Sequence, residues 1–111
     1  MSLEHHREQD VDVVHLPPRL VMANAGEARS ELKAIISSGK GKVVVNLAKT
    51  EFMDSSGLAV IVAGLQAARK MDGDLHLAHM SDTIRALFEL TRLHTVFQIF
   101  DDEAGAVAAF K

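Results

Sequence analysis

The 111-residue sequence predicts an α/β fold built on a mixed, mostly parallel sheet. Apolar or β-branched runs at 11–16, 43–47, 75–80 and 96–100 alternate with stretches whose apolar residues recur at three- and four-residue steps. The change of period marks a change from strand to helix. The intervening stretches are long enough to be crossover helices, which join parallel strands through right-handed connections. A polar segment, Arg7 to Asp10, reads as the turn of an initial hairpin and adds one antiparallel edge. The predicted order is β-β-α-β-α-β-α-β-α in a single domain, since this length leaves no room for a second hydrophobic core.

Each element has a local reason. Leu3 to His6 and Val11 to Leu16 form the hairpin arms, and Pro17-Pro18 ends the second arm because proline cannot donate to a ladder. The leading Met-Ser-Leu, residues 1–3, reads as an expression scar and carries little weight. Asn24 is the expected N-cap of the first helix, whose stripe is Ala25, Ala28, Leu32, Ile35 and Ile36, with Gly39 placed to stop it. Val43, Val44, Val45 and Leu47, apolar on both faces, predict a central buried strand. Asp54-Ser55-Ser56-Gly57 opens a helix over Leu58 to Met71, and Asp72-Gly73 turns the chain into a strand over Leu75 to Met80. Ser81 or Asp82 caps a third helix carrying Ile84, Leu87 and Phe88. Val96 to Phe100 is the last strand, and Asp101-Asp102-Glu103 puts negative charge at the start of a short Ala-rich helix.

Composition excludes several classes of function. Twelve basic against fifteen acidic residues, no Trp and no Tyr leave neither a phosphate-neutralising excess nor a stacking platform, so no nucleic-acid partner is expected. No apolar run approaches the ~20 residues that span a bilayer, and the charged start is unlike a signal peptide, so no membrane role is expected either. The absence of cysteine removes disulfides, thiolate zinc sites and thiol catalysis, and suits a cytoplasmic protein.

The most specific stretch is Phe52-Met53-Asp54-Ser55-Ser56-Gly57-Leu58, which sets two hydroxyls and a carboxylate at a strand-to-helix junction. A helix start offers unpaired N–H groups and the positive end of the macrodipole. The residues alone leave two readings open: simple capping, or a seat prepared for a phosphate. This segment, followed by an apolar helix, resembles the signature of STAS domains of the anti-sigma factor antagonist family. Asp72-Gly73-Asp74-Leu75, Ser81 to Leu93 and Phe97 to Ala109 resemble its later elements, so the likeness covers nearly the whole chain.

The resemblance implies a phosphorylation switch, not an enzyme, and no cofactor. In that family the unmodified domain binds an anti-sigma factor that is also a serine kinase, which frees a sigma factor. The kinase phosphorylates the serine after the motif aspartate, and a metal-dependent serine phosphatase reverses this. Carried across by position, the acceptor is Ser55, with Asp54, Ser56 and Gly57 shaping its environment. The expected docking rim is Leu20, Val21, Met22, Asn24, Met53 and Leu58. A constitutive interaction or scaffold subunit of a signalling or transport assembly is the alternative.

Two positions depart from the family pattern. Pro18-Arg19-Leu20-Val21 stands where the family has Gly-x-Leu-Asp, so Val21 replaces an aspartate. Arg92-Leu93 stands for Gly-Leu, and a left-handed Arg92 would lose on the order of 1 kcal/mol relative to glycine. Other chemistry is not indicated. His5 and His6 are adjacent, and His76 and His79 are three apart in a predicted strand, so neither pair shares a face. His15 and His94 have no ligand partner at close spacing, so no metal site is expected. Met53 stands where a nucleophile elbow at Ser55 needs glycine, and no phosphate-cradling glycine loop is present. Lys40-Gly41-Lys42 reads as a solvated turn, and Met22, Met53 and Met80 as core fillers or adaptable interface residues.

Overall fold

The predicted hairpin forms, with β1 (Glu4–Glu8) antiparallel to β2 (Val11–His15) and Glu4 opposite His15. Its turn is tighter than expected: Arg7 stays in the strand, where its Nε donates to the buried Asp12 carboxylate at 3.0 Å. Gln9, at φ 58°, makes the reversal. This computed structural model describes residues 2–110. Leu3 is not an idle leader residue; it is buried in the core and its N–H donates to Glu31 at 2.8 Å.

The remaining elements are β3 (Arg19–Leu20), α1 (Met22–Ser37), β4 (Lys42–Asn46), β5 (Phe52–Met53), α2 (Ser55–Lys70), β6 (Asp74–Ala78), α3 (Asp82–Leu90), β7 (Gln98–Phe100) and α4 (Glu103–Ala108). The main sheet has five strands in the order β1-β2-β4-β6-β7, parallel except at β1. The fold class is the expected one, with β4 at the centre. Its Val43 and Val45 enter the larger core, with α1, α2 and α3, while Val44 enters a smaller core under α4. Helices thus cover both faces of the sheet, as two-sided burial of β4 requires.

Element boundaries differ from expectation where a tertiary contact decides them. α1 starts at Met22, with Val21 as N-cap, so Asn24 is not the cap but the third helical residue. From there its Oδ1 accepts the Val21 N–H at 2.9 Å, half of a capping box. Gly39 does not stop α1 by a left-handed turn; a side chain there would strike the Asp12 carboxylate. The left-handed glycine is Gly41, at φ 77°. α2 begins at Ser55, before Leu58, and its Gly64 admits Leu32 of α1, whose Cδ2 lies 2.7 Å from where a Cβ would be. β7 is shorter than predicted because Val96 closes a 3-10 turn, Leu93–Thr95, in a helical conformation and Phe97 bends before the strand begins at Gln98.

Two elements were not anticipated. β3 and β5 pair in parallel as a separate two-stranded sheet, Arg19 opposite Phe52 and Leu20 opposite Met53. They follow the carboxyl ends of β2 and β4, and they bring the starts of α1 and α2 together.

Candidate functional site

The junction is built from the β3–β5 pair upward. Alternation along each short strand turns Leu20 and Met53 inward and Arg19 and Phe52 outward. The Arg19 guanidinium lies 4.9 Å from the centre of the Phe52 ring. The next residues on the two branches are helix starts, and Asp54 serves both. One carboxylate oxygen accepts the Gly57 N–H of α2 at 3.1 Å, and the other accepts the Met22 N–H of α1 at 3.1 Å. The Asp54 N–H donates to the Leu20 carbonyl at 3.3 Å. Desolvation pushes the Asp54 carboxyl upward, but the N–H groups of Gly57, Met22 and Ser56 outweigh it and hold the carboxyl below its ordinary value. A negative charge at two positive helix ends is the electrostatic arrangement expected to favour ionisation.

Gly57 is buried because α2 packs its first turn directly on the β3–β5 pair. A Cβ at this position would run into the Leu20 carbonyl oxygen and the Met53 side chain. The glycine of the motif is thus a requirement of backbone approach, and its φ is not in the left-handed region. Ser55 is the first residue of α2 and is exposed. Ser56 is half-buried beside a hollow of about 210 Å³ that Arg29, Gly26 and Val60 also line. Among the described residues, each histidine hydrogen bond goes elsewhere than to Ser55 or Ser56, so neither hydroxyl is joined to an imidazole base.

The expected docking rim needs correction. Leu20, Met53 and Leu58 are 0%, 3% and 7% exposed, and their side chains belong to the core under α1 and α2. Val21 and Asn24 are half-buried, while Met22 is 78% exposed. Phe52, 44% exposed, was missed. The signal that would have found it is the alternation of Phe52 against Met53, hidden because the strand is only two residues long. The three methionines divide: Met22 faces out, Met53 is core and Met80 is half-buried against it.

The histidines are also rearranged by the fold. His76 is buried on the α4 side, with Nδ1 2.9 Å from the Ala106 carbonyl and its ring stacked 3.8 Å from Phe110. His15 does have partners, contrary to its isolation in sequence. The hairpin brings the His6 ring to within 5.9 Å of its own, and α4 brings Glu103 to 3.9 Å.

Comparison with known proteins adds to this geometry. The STAS domain family model matches residues 2–106. The chain is 30% identical over 89 residues to BtrV of Bordetella bronchiseptica, named as a candidate anti-sigma factor antagonist, covering 80% of this chain and 77% of that one. It is 26% identical over 108 residues to the anti-sigma F factor antagonist of Paenibacillus polymyxa, covering 96% and 91%. In fold it resembles the structure of an anti-sigma-factor antagonist (STAS) domain protein from Planctomyces limnophilus, with a TM-score of 0.90 at 20% identity over 99% of this chain and 98% of that one. By the extent of the family match and the architecture around Asp54, the chain belongs to the STAS domain family.

Proposed function

We propose that the protein is an anti-sigma factor antagonist that works as a phosphorylation-controlled partner switch in the bacterial cytoplasm. Unphosphorylated, it binds an anti-sigma factor serine kinase and frees a sigma factor. Phosphorylated on Ser55, it lets the kinase go, and a metal-dependent serine phosphatase resets it. The protein itself is the regulatory binding partner; the kinase supplies ATP and magnesium.

The observation that carries the reading is the exposed Ser55 hydroxyl directly after Asp54, at a helix start flanked by the outward-facing Met22 and Phe52. A phosphate adds about −1.5 to −2 charges at that point. The exposed start of α2 tolerates the charge in the free protein. A partner lying on Met22 and Phe52 would have to desolvate it beside the Asp54 carboxylate. About 1.4 kcal/mol of such cost is already tenfold in affinity.

One observation favours the constitutive scaffold reading: Val21, the N-cap of α1, offers no side-chain oxygen where the family has an aspartate. Incubation with the cognate kinase and Mg-ATP, followed by intact-mass measurement, separates the two. The switch predicts a gain of one phosphate that disappears in Ser55→Ala, and at least tenfold weaker kinase binding by Ser55→Asp. Kinase binding that Ser55→Asp leaves unchanged would end the switch reading in favour of the scaffold.

A further inference from the structure

On the sheet face covered by α4, away from Ser55, four ionisable side chains converge that are far apart in the sequence. Alternation in β1 puts His6 and Glu8 on one face, and the register sets them opposite Val13 and Val11, the residues on which α4 packs. His15, at the end of β2, shares that face. Glu103, the first residue of α4, comes down between them. His6 Nε2 lies 3.2 Å from Glu8 Oε1 and 3.7 Å from Glu103 Oε2. His15 Nε2 lies 3.9 Å from Glu103 Oε1.

We infer that His6, Glu8, His15 and Glu103 form a binding site for a divalent transition-metal ion of the zinc class. The separations decide the ion class together with the donors. Tetrahedral ligands at about 2.1 Å from an ion are about 3.4 Å from one another. The ligand atoms of His6, Glu8 and Glu103 all lie within 4.8 Å of one another, and His15, 3.9 Å from the Glu103 carboxylate, would have to swing inward to serve as the fourth donor. Two imidazoles and two carboxylates suit zinc, copper or nickel, whereas magnesium and calcium favour all-oxygen sets. Two carboxylates also neutralise a dication held by neutral histidines.

Supporting bonds orient the ligands. The buried Asn46 donates to Glu103 Oε1 at 2.9 Å, and His79 Nε2 accepts the Glu103 N–H at 3.1 Å. Asn46 is itself fixed by the Ala48 N–H at 2.8 Å. Partners of this kind set the direction of a coordinating carboxylate. The neighbouring Glu4 does not compete, because Lys49 holds both its oxygens at 3.1 Å. A bound ion would pin the edge strand β1 and the start of α4 to β2.

The test is calorimetric titration of the untagged full chain with ZnCl2 and, separately, MgCl2 at neutral pH, with thermal unfolding in parallel. The expected result is one zinc per chain at micromolar or tighter affinity, a rise of several degrees in Tm with zinc, and neither effect with magnesium. His6→Ala, at an exposed strand position, should weaken zinc binding at least tenfold, as should Glu8→Gln. His5→Gln and His94→Gln should leave it unchanged. Cobalt substitution should give the visible absorption of a four-coordinate site in the parent protein and lose it in His6→Ala. Absence of stoichiometric zinc binding, or binding that His6→Ala does not weaken, would overturn the assignment.

Discussion

Asp54 carries more of the junction than any other residue, since its two oxygens serve the first turns of two helices. Asp54→Ala should lower the denaturant midpoint more than Asp54→Asn, because asparagine keeps an acceptor oxygen for one of the two N–H groups. The charge itself is tested by pH. Its folded carboxyl is held below the ordinary value, so the stabilisation is present above the unfolded pKa and is lost as pH falls through the lower folded value. The stability gap between the parent protein and Asp54→Asn should therefore stay constant near neutrality and close as pH drops below about 4. A gap indifferent to acid would show that the charge contributes nothing. Arg92 is a second single-residue case: it sits at φ 64° and ψ 11°, the left-handed cap anticipated for it. Arg92→Gly should raise stability by about 0.5–1 kcal/mol, the relief of strain less the entropy of glycine. Urea denaturation with an unchanged slope would verify this, and an unchanged or lower midpoint would refute it.

At the level of elements, the contact between α2 and the β3–β5 pair is the tightest feature of the site. Gly57→Ala would press a methyl against the Leu20 carbonyl and Met53, so the first turn of α2 must lift or the short strands must part. A loss of about 1–3 kcal/mol is expected, as for other overpacked positions. Perturbed amide resonances should cluster at Leu20, Met53 and Asp54, and a neutral substitution would refute the packing argument. Long elements with a strong period were readable from sequence: α2, β4 and β6 stand where Leu58, Val43 to Val45 and Leu75 placed them. Their ends were not, because Val21 caps α1 and Asn24 reaches back from inside it, an arrangement set by pairing of β3 with β5. Two-residue strands have no period to detect, so Phe52 was overlooked and Leu20 and Met53 were placed on the surface.

At the scale of the whole molecule, the described residues form two apolar cores of unequal size on opposite faces of β2, β4 and β6, and the consecutive valines of β4 point alternately into each. Phe88, fully buried and edge-on to Phe97 at 5.8 Å, anchors α3 in the larger one. Val107 anchors α4 over the smaller. Phe88→Ala should cost about 3–5 kcal/mol and Val107→Ala about 1–2 kcal/mol, by lost burial and the cavities left. Because the two cores lie on opposite faces of the same three strands, β2, β4 and β6, both variants should still unfold in a single calorimetric transition. A separate early transition in Val107→Ala would show that α4 is an independent unit. The Asp54-Ser55-Ser56-Gly57 junction was legible because it is contiguous in sequence. The His6, Glu8, His15 and Glu103 cluster was not, since only strand register and the return of α4 bring those residues together.

The outer strands of the sheet bear on how the molecule behaves in a crowded solution. β1 reads Glu-His-His-Arg-Glu and is exposed along its whole length, while the opposite edge, β7, is three residues long. Unpaired strand edges invite addition of a further strand, and charge or brevity discourages it. Neither border offers a long apolar template, so other copies of the chain gain little by stacking edge to edge. Exposed apolar side chains lie instead away from the strand edges, at Met22 and Phe52 beside the two helix starts and at Leu90 at the end of α3. Under the proposed switch, binding and release of a partner would then face little competition from edge-to-edge self-association.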